Sequence, residues 1–90
     1  MKIFKYPLTV TDHQVISMPQ GATILTVQTQ REIPCIWAEV DPEEVRVTMR
    51  RFRIYGTGHD MPDRKDFPHY VGTFQIRGHD LVFHVYTDFK

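Results

Sequence analysis

The segment with the most chemical content is residues 50–59, where arginines, a tyrosine and two glycines follow one another. Arg51, Arg53 and Tyr55 alternate along the chain, so in a strand they share one face, and that face runs into the turn at 56–59. Guanidinium groups bind anions in a forked geometry, and the backbone N–H groups of a glycine turn can converge on the same anion. The sequence therefore predicts a ligand site for a phosphate-bearing or nucleotide-like molecule. Its expected residues are Arg51, Arg53, Tyr55, Thr57 and His59.

The same residues also fit a purely structural interpretation. In that case the arginines form a solvated strand face, paired with Glu39, Glu43 or Glu44, and the glycines only allow a tight turn. Trp37 and Tyr55 occupy the less apolar faces of their strands. They suit a stacking platform beside the ligand site, and equally a subunit interface.

Histidine is the second candidate for chemistry, because five histidines accompany a single cysteine. The chain contains no H-x-H, C-x-x-C or H-E-x-x-H spacing, and neither a phosphate-binding loop nor a dinucleotide fingerprint. His59 and His69 flank one loop and His84 lies on a nearby strand, which leaves a small hydrolase as the alternative function. Cys35 follows a proline within a strand and is expected to be a buried, inert thiol. No catalytic residue, metal ligand or cofactor is assigned.

Composition excludes several classes of protein. Eleven Lys and Arg balance eleven Asp and Glu, which gives no long-range attraction to nucleic acid. The longest apolar runs are far shorter than the roughly 20 residues that span a bilayer. The lone cysteine and the absence of a secretory signal pattern point to the cytoplasm. We expect one domain over residues 1–90, with homo-oligomerisation favoured because a small chain buries a limited core.

Apolar side chains recur at every second position between prolines and glycines, the pattern of short β-strands. Three phenylalanines, Phe52, Phe74 and Phe83, are the expected aromatic core. The predicted fold is all-β, a small antiparallel sheet structure of six to seven strands, either a partly open barrel or a two-layer sandwich. The strands are expected at residues 2–6, 14–18, 23–30, 35–40, 45–55, 70–77 and 81–86.

Local details complete these expectations. Val47 and Met49 are out of phase with Phe52 and Ile54, which predicts a β-bulge near Arg50-Arg51. A type I turn is expected at 18–21, with proline second and glycine fourth. A type II′ connection around Gly78-His79 is expected between the last two strands, because glycine comes first. In the third strand, Leu25 and Val27 are expected to share one face.

Residues 21–86 also carry a distinctive string of residues that resembles a known group of proteins. The string comprises Ile24-Leu25, Val27-Gln28, Gln30, Pro34-Cys35-Ile36-Trp37-Ala38, Val40-Asp41-Pro42, Phe52, Ile54, Gly56-Thr57-Gly58-His59, Pro62, Tyr70, Gly72-Thr73-Phe74-Gln75 and Leu81-Val82-Phe83-His84-Val85. It is similar to a family of short, functionally uncharacterised proteins from bacteriophages, prophages and bacteria. The resemblance implies a phage or bacterial setting and supplies no activity or catalytic residue.

Together these observations favour a non-catalytic binding or interaction module in the host cytosol. Its expected partner is a phosphate-bearing small ligand or a host protein, with Trp37 beside the site of Arg51, Arg53, Tyr55, Thr57 and His59. Membrane association and a long nucleic-acid track are not expected. Two alternatives stay open: a small hydrolase using His59, His69 or His84, and a structural accessory protein of a virion.

Overall fold

The computed structural model describes residues 1–89 and contains seven β-strands. They are β1 (Lys2–Pro7), β2 (His13–Pro19), β3 (Thr23–Gln30), β4 (Ile33–Val40), β5 (Val47–Gly56), β6 (His69–Ile76) and β7 (Leu81–Thr87). A single turn of 3-10 helix, Arg64–Asp66, interrupts the loop between β5 and β6. Within residues 1–89 no helix is long and apolar enough to cross a membrane.

The strands form two antiparallel sheets that pack face to face. One sheet has three strands in the order β1-β4-β3, and the other has four in the order β2-β5-β7-β6. The β3 and β6 edges lie side by side, but no ladder joins the two sheets there. The all-β prediction is confirmed, and of its two alternatives the two-layer sandwich is the observed one.

The core lies between the sheets, as the period-two pattern requires. Ile36, Ala38 and Val40 of the central strand β4 are fully buried, facing Phe52 and Val85 of the other sheet. Full burial of each of the larger of these side chains contributes about 1.5–3 kcal/mol to the free energy of unfolding. The aromatic core prediction is confirmed, since Phe52 and Phe74 are buried and Phe83 packs partly buried against them.

The bulge predicted near Arg50-Arg51 is wrong, because β2 and β5 pair without a break from His13↔Arg53 to Pro19↔Val47. Arg50 simply occupies a core-facing position that an apolar residue usually fills. It is 2 % exposed and donates from its two terminal nitrogens to the carbonyls of Ala22 (2.9 Å) and Phe89 (2.8 Å). The apparent phase slip was therefore a buried arginine, which leaves Val47 and Met49 exposed on the opposite face.

The true bulges lie where β3 and β6 meet. Leu25 is the extra residue in β3 and is exposed, so it does not share a face with buried Val27 as predicted. Val71 is the extra residue in β6. Next to it a Cβ on Gly72 would lie 2.8 Å from the Val27 side chain, so glycine permits this close approach of the two sheets.

Two turn types also differ from the prediction. The first turn spans residues 19–22, closed by the Ala22 N–H on the Pro19 carbonyl, with Gly21 at φ +85° in the third position. This is one residue later than predicted, and the positive φ fits a type II turn. Between β6 and β7, Gly78 and His79 both have positive φ, which is the type I′ geometry and not type II′.

Candidate functional site

The loop between β5 and β6 folds back over the outer face of the four-stranded sheet, the face turned away from the core. Arg53 and Tyr55 point to this face, because they alternate with core residues of β5, yet they are only 8 % and 3 % exposed. Asp63 of the loop covers both. The predicted ligand face is thus largely closed by a segment of the chain itself.

Arg53 makes its hydrogen bonds to other groups of the protein. Its Nε donates to Asp63 Oδ2 at 2.8 Å, and a terminal nitrogen donates to the Ile54 carbonyl at 2.7 Å and lies 3.6 Å from Asp12 Oδ1. Its guanidinium carbon also lies 4.3 Å from the centroid of the Tyr55 ring. The predicted partners Glu39, Glu43 and Glu44 are not the ones that Arg53 uses.

Asp63 of the loop and Tyr55 of β5 are joined by a 2.7 Å hydrogen bond from the tyrosine hydroxyl to Oδ1. Burial, this hydrogen bond and the nearby carboxylate raise the pKa of Tyr55 to about 12. Desolvation pushes the pKa of Asp63 upward, but the hydrogen bonds from Tyr55 and Arg53 outweigh it and leave that pKa below its ordinary value. The pair therefore favours a neutral tyrosine and an ionised aspartate.

Arg51 and Trp37 lie away from this cluster. Arg51 is exposed on the same face. One of its terminal nitrogens lies 4.0 Å from Asp88 Oδ2, and its guanidinium carbon lies 5.0 Å from the ring centroid of Phe67. Trp37 pairs in register with Lys5 and belongs to the outer face of the three-stranded sheet. The structure therefore brings Arg53, Tyr55, Thr57 and His59 to one corner, and places Trp37 on the opposite side of the sandwich.

The glycine corner is a closed turn. The His59 N–H donates to the Gly56 carbonyl at 3.1 Å, the Thr57 N–H donates to the Val82 carbonyl at 3.3 Å, and Gly58 has φ +86°. Two of the N–H groups expected to converge on an anion are thus already bonded to carbonyls. The glycines serve the turn, and the chemistry of the corner comes from its side chains.

A cleft of about 280 Å³ opens beside this corner. Its side chains are aromatic, imidazole, hydroxyl and thioether groups, and the described lining contains no charged residue. The lining residues are Tyr55, Gly56, Thr57, Gly58, His59, Met61, His84 and Tyr86. Tyr55 and Tyr86 meet edge to face, with ring centroids 5.5 Å apart.

His84 is held by hydroxyl groups on both sides of its ring. Nε2 lies 2.7 Å from Thr57 Oγ1, and Nδ1 lies 2.9 Å from Thr73 Oγ1, which in turn bonds to the Tyr70 hydroxyl. Hydroxyls both donate and accept, so this chain accommodates either tautomer of the imidazole. His84 therefore has a fixed orientation at the edge of the cleft.

The His59 ring differs from the His84 ring in that it is exposed and makes no hydrogen bond to any of residues 1–89. The ring lies against the Gly56 α-carbon, where a Cβ would come within 2.8 Å of Nδ1. Two further hollows, of about 290 and 110 Å³, also include His59 and Gly56 in their linings. His59 is thus central to the concave surface at this end of the sandwich.

Sequence reasoning missed Asp63, Met61 and Tyr86. Asp63 and Met61 lie in a polar loop without periodicity, so no pattern signalled that it folds onto the sheet. His69, the third histidine of the hydrolase alternative, is exposed and pairs with Thr87, outside the cleft. Within residues 1–89 no three His, Cys, Asp or Glu side chains converge as metal ligands would.

The chain belongs to a family described as a domain of unknown function (DUF7352), whose family model matches residues 1–90. Neither a curated protein nor a solved structure matches the chain.

Proposed function

We propose that this member of the family is a non-catalytic binding module, which holds a planar nucleoside- or nucleotide-like ligand in the cleft beside His59 and His84. The observation that carries the proposal is the lining: two tyrosine rings and two imidazoles surround a hollow of about 280 Å³. Such sites are mostly apolar and aromatic, with a few polar groups that fix orientation. The volume of the cleft is just below the roughly 300–1,000 Å³ that such sites usually have, which suits one heterocycle.

Each side chain has a distinct task in this proposal. Tyr86 supplies a ring for stacking, and the unbonded His59 imidazole supplies a donor or acceptor to the edge of the heterocycle. Arg64 lies over Tyr86, with its guanidinium carbon 4.6 Å from the ring centroid, and one terminal nitrogen donates to the Phe67 carbonyl at 3.2 Å. In this proposal its remaining N–H donors meet the phosphate of a nucleotide. Arg53 and Asp63 act indirectly, by holding Tyr55 beneath the cleft.

The same proposal covers where the module acts, which is the cytoplasm of a bacterial host, and whether it assembles. The sequence string resembles phage, prophage and bacterial proteins, and the balanced charge and lone cysteine fit the host cytoplasm. Assembly into a homo-oligomer, or docking on a host protein, is supported by exposed apolar side chains on β5, where Val47 and Met49 are 64 % and 58 % exposed.

The test is a titration of the isotopically labelled protein with nucleosides and nucleoside monophosphates, followed by amide chemical shifts. We expect shifts at Thr57, His59 and His84 on addition of the best ligand. The variant Gly56→Ala is the sharpest probe, since its Cβ displaces only the His59 ring and its φ is compatible with alanine. It should weaken binding about tenfold, equivalent to about 1.4 kcal/mol.

His69→Ala is the matched control, because this exposed histidine lies outside the cleft. It should leave the affinity unchanged. A panel in which every nucleoside and nucleotide leaves the amide shifts of the cleft unmoved would contradict the proposal, as would an equal loss of affinity in both variants.

A second candidate function is ester hydrolysis, which one specific contact favours. Thr57 Oγ1 lies 2.7 Å from His84 Nε2, and Thr73 orients the other ring nitrogen, an arrangement of nucleophile, base and orienting group. Thr57 would attack an ester carbonyl while His84 takes its proton and passes it to the departing alcohol. Water, activated by the same imidazole, would then release the acid and restore the threonine.

Labelling separates the two functions. A fluorophosphonate probe should form a covalent adduct on Thr57 if hydrolysis is the function, and intact mass would show it. Thr57→Val and His84→Gln should both abolish that adduct. With no adduct on the wild-type chain, the hydrolase is excluded and the binding module stands alone.

A further inference from the structure

A second cleft lies on the other side of the sandwich, on the outer face of the three-stranded sheet where the β3–β4 hairpin turns. Its volume is about 400 Å³, larger than the cleft beside His84. Its lining comes from three strands and one turn. The lining residues are Lys5, Pro7, Gln30, Arg31, Ile33 and Cys35.

The charges around this cleft are of one sign. Lys5 and Arg31 line it, and among residues 1–89 no carboxylate does so. The Lys5 ammonium donates to the neutral amide oxygen of Gln30. Among residues 1–89 this is its one hydrogen-bond partner, so no described carboxylate compensates its charge and two of its N–H donors are unused. Arg31 has no ion-pair partner within the described part of the chain.

The one acid of the hairpin turn faces elsewhere. The two carboxylate oxygens of Glu32 accept hydrogen bonds from the backbone N–H groups of Arg77 (3.1 Å) and Gly78 (3.2 Å), in the turn between β6 and β7. This clamp draws the negative charge across to the four-stranded sheet. Glu32 therefore does not pair with Arg31, its neighbour in sequence.

The turn that presents Arg31 is held in an unfavourable backbone conformation. Arg31 and Glu32 have φ of 52° and 67°, the left-handed region that costs side-chain-bearing residues about 1–2 kcal/mol each. Asparagine or glycine usually occupies such a two-residue turn. Strain of this kind persists where surrounding contacts enforce it, and here the Glu32 clamp is that contact.

The remaining lining is apolar. Pro7 and Ile33 form the walls, and the thiol of Cys35, only 2 % exposed, lies at the base. A fully hydrated inorganic ion gains nothing from such walls, whereas a molecule with an anionic head and a hydrocarbon or aromatic body uses both parts of the cleft.

We infer that this second cleft binds a small organic anion, with its phosphate or carboxylate head between Lys5 and Arg31 and its apolar body against Pro7 and Ile33. The inference does not depend on the proposed function, because the two clefts lie on opposite faces and share no residue. It assigns anion binding to cations that are 26 positions apart in the sequence and that the fold brings together.

The experiment is an amide-shift titration of the full chain with phenyl phosphate and with benzoate, which distinguishes the two kinds of head group. Phenol serves as the uncharged analogue. We expect shifts at Lys5, Arg31 and Cys35 with at least one anion, and none with phenol. Shifts confined to other parts of the chain, or phenol binding as tightly as the anions, would overturn the inference.

Variants make the assignment specific. Lys5→Met and Arg31→Asn should each weaken binding about tenfold, and Asn tolerates the positive φ of the turn, so the second variant keeps its fold. Lys2→Met is the matched control on the same strand, outside the cleft, and should bind as the wild type does. Wild-type affinity in the Lys5→Met, Arg31→Asn double variant overturns the assignment.

Discussion

Two clefts of this small sandwich, one beside His59 and His84 and the other beside Lys5 and Arg31, differ in how the charges near them are used. Beside the cleft of His59 and His84, Arg53 is buried and engaged by Asp63 and by backbone carbonyls, so the cleft presents rings, hydroxyls and imidazoles. At the opposite cleft, Lys5 and Arg31 have no carboxylate of residues 1–89 beside them in the lining. A dense run of cations in a sequence therefore need not mark the place where an anion binds.

The reason lies in geometry. Three arginines on one short strand lie in three different environments: Arg50 is buried in the core, and on the opposite face Arg53 lies beneath the loop while Arg51 is exposed. Buried guanidinium groups must be hydrogen-bonded to be tolerated, so the fold itself uses them. The cations left for a ligand are those on exposed strand and turn positions.

The largest expected effect is on stability, from removing Arg53. We expect Arg53→Ala to lower the free energy of unfolding by about 2–3 kcal/mol, because Asp63 loses its charged donor while remaining partly buried. Arg51→Ala, on the same strand and face but exposed, should change stability by at most about 0.5 kcal/mol. Urea unfolding of the two variants measures the difference. Equal, small losses of stability in both variants would mean that Asp63 does not hold Arg53, and would contradict the difference drawn between the two clefts.

A pH dependence follows from the Tyr55–Asp63 pair. Tyrosine in the unfolded chain ionises near its ordinary pKa of 10.0, whereas Tyr55 in the folded chain does so at about 12. The stabilisation that the buried, neutral Tyr55 hydroxyl gives to the folded chain is therefore complete below pH 10, and it is lost progressively as the pH rises towards about 12. Thermal unfolding measured between pH 8 and about 12 should show this loss, and Tyr55→Phe should reduce it. Identical alkaline profiles for the wild type and Tyr55→Phe would contradict the buried pair.

The Glu32 clamp gives an intermediate effect. Glu32→Ala should destabilise the chain by about 1–2 kcal/mol, since the N–H groups of Arg77 and Gly78 lose their acceptor. Glu43→Ala is the control, an exposed acid of another turn whose substitution should be nearly neutral. Hydrogen exchange of the Arg77 and Gly78 amides reports the clamp directly, and exchange that is unchanged in Glu32→Ala would show that the clamp does not form.

The smallest expected effect has the opposite sign. Arg31→Asn should stabilise the chain by up to about 1 kcal/mol, because asparagine adopts the left-handed conformation of the turn at lower cost than arginine. It should also weaken binding of an organic anion. Greater stability together with weaker binding would show that strain at this turn accompanies function, whereas a loss of stability would contradict the turn geometry.

Much of the fold could be predicted from side-chain alternation. The period-two pattern predicted the strands, the aromatic core, and the shared face of Arg51, Arg53 and Tyr55. It failed at Arg50, because a charged residue at a core-facing position breaks the alternation of apolar side chains in the same way as an inserted residue does. It also failed at Leu25 and Val71, where bulges depend on how closely two sheet edges approach, which no local pattern encodes.

The candidate sites were harder to predict for a related reason. Thr57 and His59 were found because they follow a charged strand in a glycine turn. Asp63, which decides what Arg53 can do, lies in a loop whose path is set by tertiary contacts with Tyr55 and Arg53. Lys5 and Arg31 become neighbours only when β1 and β3 flank β4 in one sheet, an order that the sequence left open.

The claim that an organic anion binds at Lys5 and Arg31, and not at the arginines of β5, is tested most directly by following amide shifts during a single titration with phenyl phosphate. We predict that the shifted amides cluster around Lys5, Gln30 and Arg31 on the three-stranded sheet. Shifts that cluster instead on Arg51 and Arg53 would contradict the account, because they would mean that the arginines of β5 hold the anion.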